Sequence, residues 1–274
     1  MTSLIDIIMP VLQSIPESHL KSELIQGFMA YRRHLGTIET GFRALTARKQ
    51  DPERLRHFFQ SWSQTNNSAM TTAGIGNRLT LQLHRGQNVA DQVALLRALT
   101  SLDRIIDEDL AVTNRMLHSQ MFYKMATDIV GDDDWLLLRY LHPDAKSFKE
   151  WKDDKSLRGT DLMIPLLTTL THEIYTHGEV EFILPFFTRW LREDYDFSEA
   201  ECRKALAWIS VHCGPTERNH FFHALDAIGH YSTAMDVKVD DYALDGIIGS
   251  YLQKKASVIE HVCPSVVREI EAVH

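Results

Sequence analysis

The chain has 274 residues, 44% of them hydrophobic and 24% charged, with 37 acidic against 29 basic side chains and a net charge of −8. Such proportions describe a globule that buries its own core, and they exclude a disordered or collagen-like chain. The acidic balance argues against a protein that tracks nucleic-acid phosphates, and three cysteines (Cys202, Cys213 and Cys263) are too few and too scattered for a disulfide framework or a thiolate zinc site.

The opening MTSLIDIIMPVLQS lacks a basic leader and is interrupted by Pro10, so it does not have the pattern of a secretory signal. No apolar run approaches the roughly 18 residues of a membrane span, and a cytoplasmic soluble protein is expected. Residues 19–34 carry Leu20, Leu24, Ile25, Phe28 and Met29 on one helical stripe. Asp51 caps a helix that begins at Pro52. A long bent helix is expected from about Asn88 to Ile129, stopped by Gly131 before Asp132-Asp133-Asp134. Further helices fit Trp135–Leu141, Leu162–Leu191, Ser198–Val211, Glu217–Met235 and Asp240–Val262, with a helical tail from Pro264. Ser198-x-x-Glu201 has the form of a capping box. Breakers occupy 142–160 and 192–197, strand signals are nearly absent, and no long repeat is visible. The pattern predicts one all-α domain over residues 1–274, built from eight to ten helices.

Fourteen histidines raise the question of which of them meet carboxylates. In His212-Cys-Gly-Pro-Thr-Glu217-Arg-Asn-His220, Glu217 and His220 share a helix face at i, i+3, the spacing by which helical bundles present two ligands to one metal. In a regular helix His212 would lie about 80° away from His220. Gly214-Pro215 interrupts the ladder and can close that angle. The second segment is Asp107-Glu108-Asp109 followed by His118, in a helix whose Ile105, Ile106, Leu110 and Met116 mark it as mostly buried. Acids there are expensive unless paired or metal-bound; Asp107 and Asp109 fit a solvated face, and Glu108 is the acid expected inward. The third segment runs from His172 through Glu173, Tyr175, His177, Gly178, Glu179 and Glu181 in an apolar helix. One of its three carboxylates must face the core, and spacing alone does not choose among them. His223, His230 and Asp226 are candidates for supporting hydrogen bonds, His172 and His177 for local ones. Cys213, Trp62, Trp208, Phe221 and Phe222 read as core.

The order of these segments, together with the stretches Pro52–Trp62 and Cys202–Ile228, resembles the haem-oxygenase-like di-iron oxidases and oxygenases over roughly residues 50–230. The likeness lies between a branch that decarboxylates medium-chain fatty acids to terminal alkenes and an N-oxygenating branch. It implies a haem-oxygenase-like helical bundle binding two Fe(II) per chain, with O2 as co-substrate. The ligands it implies are Glu108 and His118 on the first ligand helix, Glu179 (Glu173 in reserve) on the middle one, and His212, Glu217 and His220 on the third. The third-helix pattern departs from the family's His-x-x-x-Asp-x-x-His by one residue and by Glu for Asp. Arg115 stands where the decarboxylating branch has its histidine, and the ten-residue Glu108–His118 spacing matches the N-oxygenating branch instead. The implied partner is a small carboxylate-bearing molecule, an amino acid or a fatty acid, with no nucleic acid or membrane; free helix faces are compatible with a homodimer. Two other readings compete: a cofactor-independent or thiaminase-like enzyme on the same scaffold, and a non-catalytic helical binding protein.

Overall fold

Capping chemistry sets many of the helix starts. In the computed structural model, which describes residues 2–66, 69–86, 88–110 and 116–263, Ser3 and Asp6 form a reciprocal cap on α1 (Leu4–Gln13). Ser18 caps α2 (His19–Ala30), which breaks at Tyr31 before α3 (Arg32–Leu45). Asp51 accepts the backbone N–H of Arg54 and Pro52 occupies the first position of α4 (Pro52–Thr65), as the sequence predicts. Next comes α5 (Ala69–Arg85), which hydrophobic patterning does not announce because it is rich in threonine and glycine.

The expected bent helix over 88–129 is two helices, α6 (Gln92–Asp109) and α7 (His118–Val130). The break has a consequence for chemistry. In a continuous helix Asp109 and His118 would lie about 13.5 Å apart along the axis, yet His118 Nδ1 is 3.2 Å from Asp109 Oδ1. The expected Trp135–Leu141 helix is two short 3-10 turns. The expected breaker at 142–160 instead holds α8 (Pro143–Asp153), because proline at a first helical position starts a helix rather than ending one. A π-helical turn follows at Asp154–Arg158.

Helix α9 (Met163–Asp194) is the axle of the bundle, buried on nearly every side over its first two-thirds. It packs on α12, α1 and α13. Ser198 and Glu201 form the predicted capping box of α10 (Glu199–Ala205), and Leu206 separates it from α11 (Ala207–His212). Then come α12 (Pro215–Met235), which lies along α6, and α13 (Leu244–Val262), which lies across α2, α3 and α8. The expected tail from Pro264 falls outside the described residues. The buried apolar side chains form one continuous core, and no helix among the described residues is long and apolar enough to cross a membrane.

Candidate metal centre

Two buried triads meet where α6, α7, α9, α11 and α12 converge: Asp109, His118 and His212 form one, Glu173, Glu217 and His220 the other. Within each, the potential ligand atoms lie within 4.8 Å of one another. Glu217 joins them, with Oε1 3.6 Å from His212 Nε2 and 3.8 Å from His220 Nδ1. Gly214, at φ +72°, takes the left-handed turn that side chains rarely adopt and lets α11 end and α12 begin within two residues. That turn brings His212 Nε2 within 3.6 Å of Glu217 Oε1.

Hydrogen bonds fix the tautomer of each imidazole. A carbonyl oxygen only accepts, so His212 Nδ1 donates to Trp208 O at 2.6 Å and leaves Nε2 with its lone pair toward Glu217. His118 Nδ1 donates to Asp109, and its buried Nε2 has no partner. His220 Nε2 lies 3.0 Å from Glu108 Oε2, a donor to a carboxylate, which leaves Nδ1 facing Glu173 Oε2 at 3.6 Å. His220 Nδ1 and Glu173 Oε1 are also buried without hydrogen-bond partners. Unpartnered buried groups cost about 1–3 kcal/mol each, and three of them in one place form a donor set that divalent cations would satisfy. Imidazole and carboxylate donors without thiolate suit Fe(II) or Mn(II).

The charges show the same unmet demand. Burial, reinforced by Glu173 and Asp109, holds the Glu217 carboxyl well above the usual carboxylate range. Burial pushes His212 down to about 4, with His118 beside it acting in the same sense. For His220 burial is opposed and overcome by Glu108, Glu173 and Glu217, which raise it. Burial likewise opposes ionisation of Asp109, but the hydrogen bond from His118 and the neighbouring imidazoles hold it below its ordinary value. Without a cation, protons must therefore compensate the acids. Cations would displace those protons.

Of the residues expected from sequence, His118, His212, Glu217 and His220 come together here. Glu108 lies at the edge, with 38% of its side chain exposed. Its contact is with His220 Nε2, and it is a member of neither triad. Asp109, read from sequence as solvated, is the buried acid of that helix. The apolar stripe Leu95, Ala98, Leu102 and Ile105 points to it, since 109 is the next position at alternating spacings of three and four.

Of the two α9 glutamates expected from sequence, Glu173, held in reserve, lies in a triad and Glu179 lies in neither. The Glu179 carboxylate accepts from Trp62 Nε1 at 3.3 Å, Tyr175 Oη at 3.0 Å and Lys255 Nζ at 3.1 Å, and so belongs to a separate buried network. Gly178 beside it serves packing: a Cβ there would lie 2.7 Å from Ile8 Cγ1 of α1. His172 donates to or accepts from the Tyr251 hydroxyl at 2.8 Å, a local role as expected. A third group, His142, Asp144 and His261, sits at the surface between α8 and α13.

No protein-family model and no curated protein matches the chain. Among solved structures it is similar to a TenA homolog from Pseudomonas syringae pv. tomato, at 15% identity and a TM-score of 0.67, over 92% of this chain and 94% of that one. The chain has the haem-oxygenase-like helical fold. At this identity the likeness extends to architecture and not to chemistry.

Proposed function

We propose that this chain is a non-haem di-iron oxygenase or oxidase. The single observation behind the reading is the pair of triads joined by Glu217, with imidazole lone pairs and a carboxylate oxygen left unpartnered in the core. Asp109, His118 and His212 would hold one ion, Glu173 and His220 the other, and Glu217 both. Three carboxylates and three neutral imidazoles leave two divalent ions one charge short of neutrality, which favours a nearby anionic group in a low-dielectric interior. Bound iron would supply O2 activation for N-oxygenation, C–H oxidation or oxidative C–C cleavage of a small carboxylate-bearing substrate, an amino acid or a fatty acid. The protein's own contribution is to fix geometry. Trp208 O holds the His212 ring and Glu108 holds His220; such outer bonds orient ligands and raise their basicity.

A metal-independent, TenA-like enzyme is the second reading, favoured by the fold likeness. The thiols speak against a cysteine nucleophile in it. Burial raises Cys202 and Cys263, and pushes Cys213 up to about 12, whereas reactive cysteines have lowered values.

The test is anaerobic loading with Fe(II), desalting and metal analysis. Two irons per chain, with an absorbing species that comes and goes on exposure to O2, supports the di-iron reading. Protein that retains no iron overturns it and leaves the metal-independent one.

A further inference from the structure

Helices α5 and α6 form an antiparallel hairpin at the edge of the bundle, with the other side of α6 packed on α12. A Cβ on Gly76 of α5 would lie 3.5 Å from Leu99 Cδ1, 3.8 Å from Ile106 Cδ1 and 4.0 Å from Asp103 Oδ1 of α6. That contact fixes which residues are level: Leu81 with Arg97, and Arg85 with Val93. Outward, α6 shows Val93, Leu96, Thr100, Asp103 and Asp107 at alternating spacings of three and four, the complement of its buried stripe. The outward residues of α5 are Met70, Asn77, Leu81 and His84.

Two features set this face apart. Five large apolar side chains among the described residues are more than half exposed, and four of them are here: Met70, Leu81, Val93 and Leu96. Scattered singly, such residues are ordinary; gathered on one face, they mark an interaction surface. The charges are also segregated. His84 and Arg85 stand at the loop end of the hairpin and Asp103 and Asp107 farther along it, and among the described residues none of the four is in an ion pair. Arg104 lies on the α12 side, near His223. Asp103 and Asp107 are one turn apart, where like charges repel, and partial burial reinforced by Asp107 raises the Asp103 carboxyl. An apolar patch with a basic end and an uncompensated acidic end is its own complement when turned through 180°.

We propose that this face pairs with the same face of a second copy of the chain, in an antiparallel dimer about a two-fold axis at the level of Leu96 and Thr100. An axis at that level gathers Leu81 and Leu96 of both copies at the centre. It also sets the basic loop end of each hairpin over the acidic pair of the other. A parallel pairing would instead place acids on acids. With 18 residues α6 is about 27 Å long. Two such helices side by side offer roughly 500 Å² per copy, about 1,000 Å² in all, the lower bound of a specific interface. Buried Asp109 projects from the opposite side of α6, so the dimer does not depend on the metal centre.

The experiment is sedimentation velocity of the full-length protein, without added metal, from about 1 to 100 μM. The wild type should form a dimer. Leu96→Glu puts two charges at the centre of the interface and should leave monomer alone, with unchanged helix content, since Leu96 is exposed in the single chain. Leu81→Glu serves in its place should that variant fail to fold. Arg85→Glu and Asp103→Arg should each raise the dissociation constant about 10-fold, because each sets like charges together twice per dimer. Combined in one chain, they should bring it back to within a few-fold of the wild type. The proposal is overturned if the wild type is monomeric at the highest concentration, if Leu96→Glu and Leu81→Glu leave its association intact, or if the combined charge variant dissociates as readily as the single ones.

Discussion

Helix α9 carries two fully buried glutamates six residues apart, and their surroundings are opposite. Glu179 has both oxygens engaged, by Trp62, Tyr175 and Lys255, and Lys255 in turn donates to Thr65 Oγ1 at 2.8 Å and Asn66 Oδ1 at 2.9 Å. Glu173 faces Glu217 and His220 and keeps one buried oxygen without a partner. A closed network can be explained by the fold alone. An open one, in which two acids meet an imidazole and a buried oxygen has no partner, is one that a group absent from the polypeptide could complete. The same residue type on the same helix thus has a closed set of partners in one place and an open one in the other.

The strongest way to break this contrast is to remove the Glu173 charge. Glu173→Gln should bring iron content from two per chain to one or none and abolish O2-dependent turnover, because two-metal sites fail as a unit. In metal-free protein the same change should leave the melting temperature unchanged or raise it, since it relieves repulsion with Glu217. Two retained irons would return Glu173 to the core as an ordinary buried acid.

Glu179→Ala should do the reverse. Leaving the Lys255 ammonium buried without its carboxylate should destabilise the fold by about 3–5 kcal/mol, read from urea unfolding, while any protein that folds still binds two irons. Replacing both partners together, Glu179→Leu with Lys255→Met, should recover most of that loss. Iron loss in folded Glu179→Ala would mean that the network reaches the metal centre after all.

Glu108 sharpens the contrast at an intermediate scale. As an orienting group rather than a ligand, Glu108→Gln should weaken iron affinity by about 10–100-fold without changing the number of sites, seen by competition with a chelator. A stoichiometry of one would make Glu108 a ligand, the role the sequence resemblance implies for it.

The sequence shows the helices that have a capped start, such as α4 and α10, and it shows the turn between His212 and Glu217 through Gly214-Pro215. It is silent where those signals lapse. In α9 the burial is nearly all-round, so no stripe tells Glu173 from Glu179, and only three-dimensional partners separate them. The choice of Glu108 over Asp109 is different, because the stripe ending at Ile105 was present to be extended. The break between α6 and α7 is what turns His118 back onto Asp109, and no stripe announces it. Helix α5 and the turn after α8 carry too few apolar residues to show a period at all.

The smallest effect expected is at the surface group, where solvent screens the charges. Asp144 accepts from Ser257 Oγ at 2.5 Å and from His261 Nδ1 at 2.9 Å, and the His142 ring stacks on His261 at 4.9 Å. The Ser257 hydrogen bond, with the two imidazoles, holds Asp144 below the usual carboxylate range. A carboxylate lowered in the fold binds fewer protons there than in the unfolded chain, so its contribution is complete above the unfolded value and is lost as pH falls through the folded one. Burial lowers His142 as well, and the same rule makes the folded state lose ground as pH falls through the ordinary histidine range, near 6.5. Both groups therefore weaken the α8–α13 contact on acidification, His142 first and Asp144 later. Asp144→Asn should cost about 0.2–1 kcal/mol at neutral pH, with the difference from wild type shrinking below about pH 4. The measurement is urea unfolding of both proteins from about pH 7 to pH 3. A difference that stays constant over that range would show that Asp144 acts there as a hydrogen-bond acceptor whose charge contributes nothing.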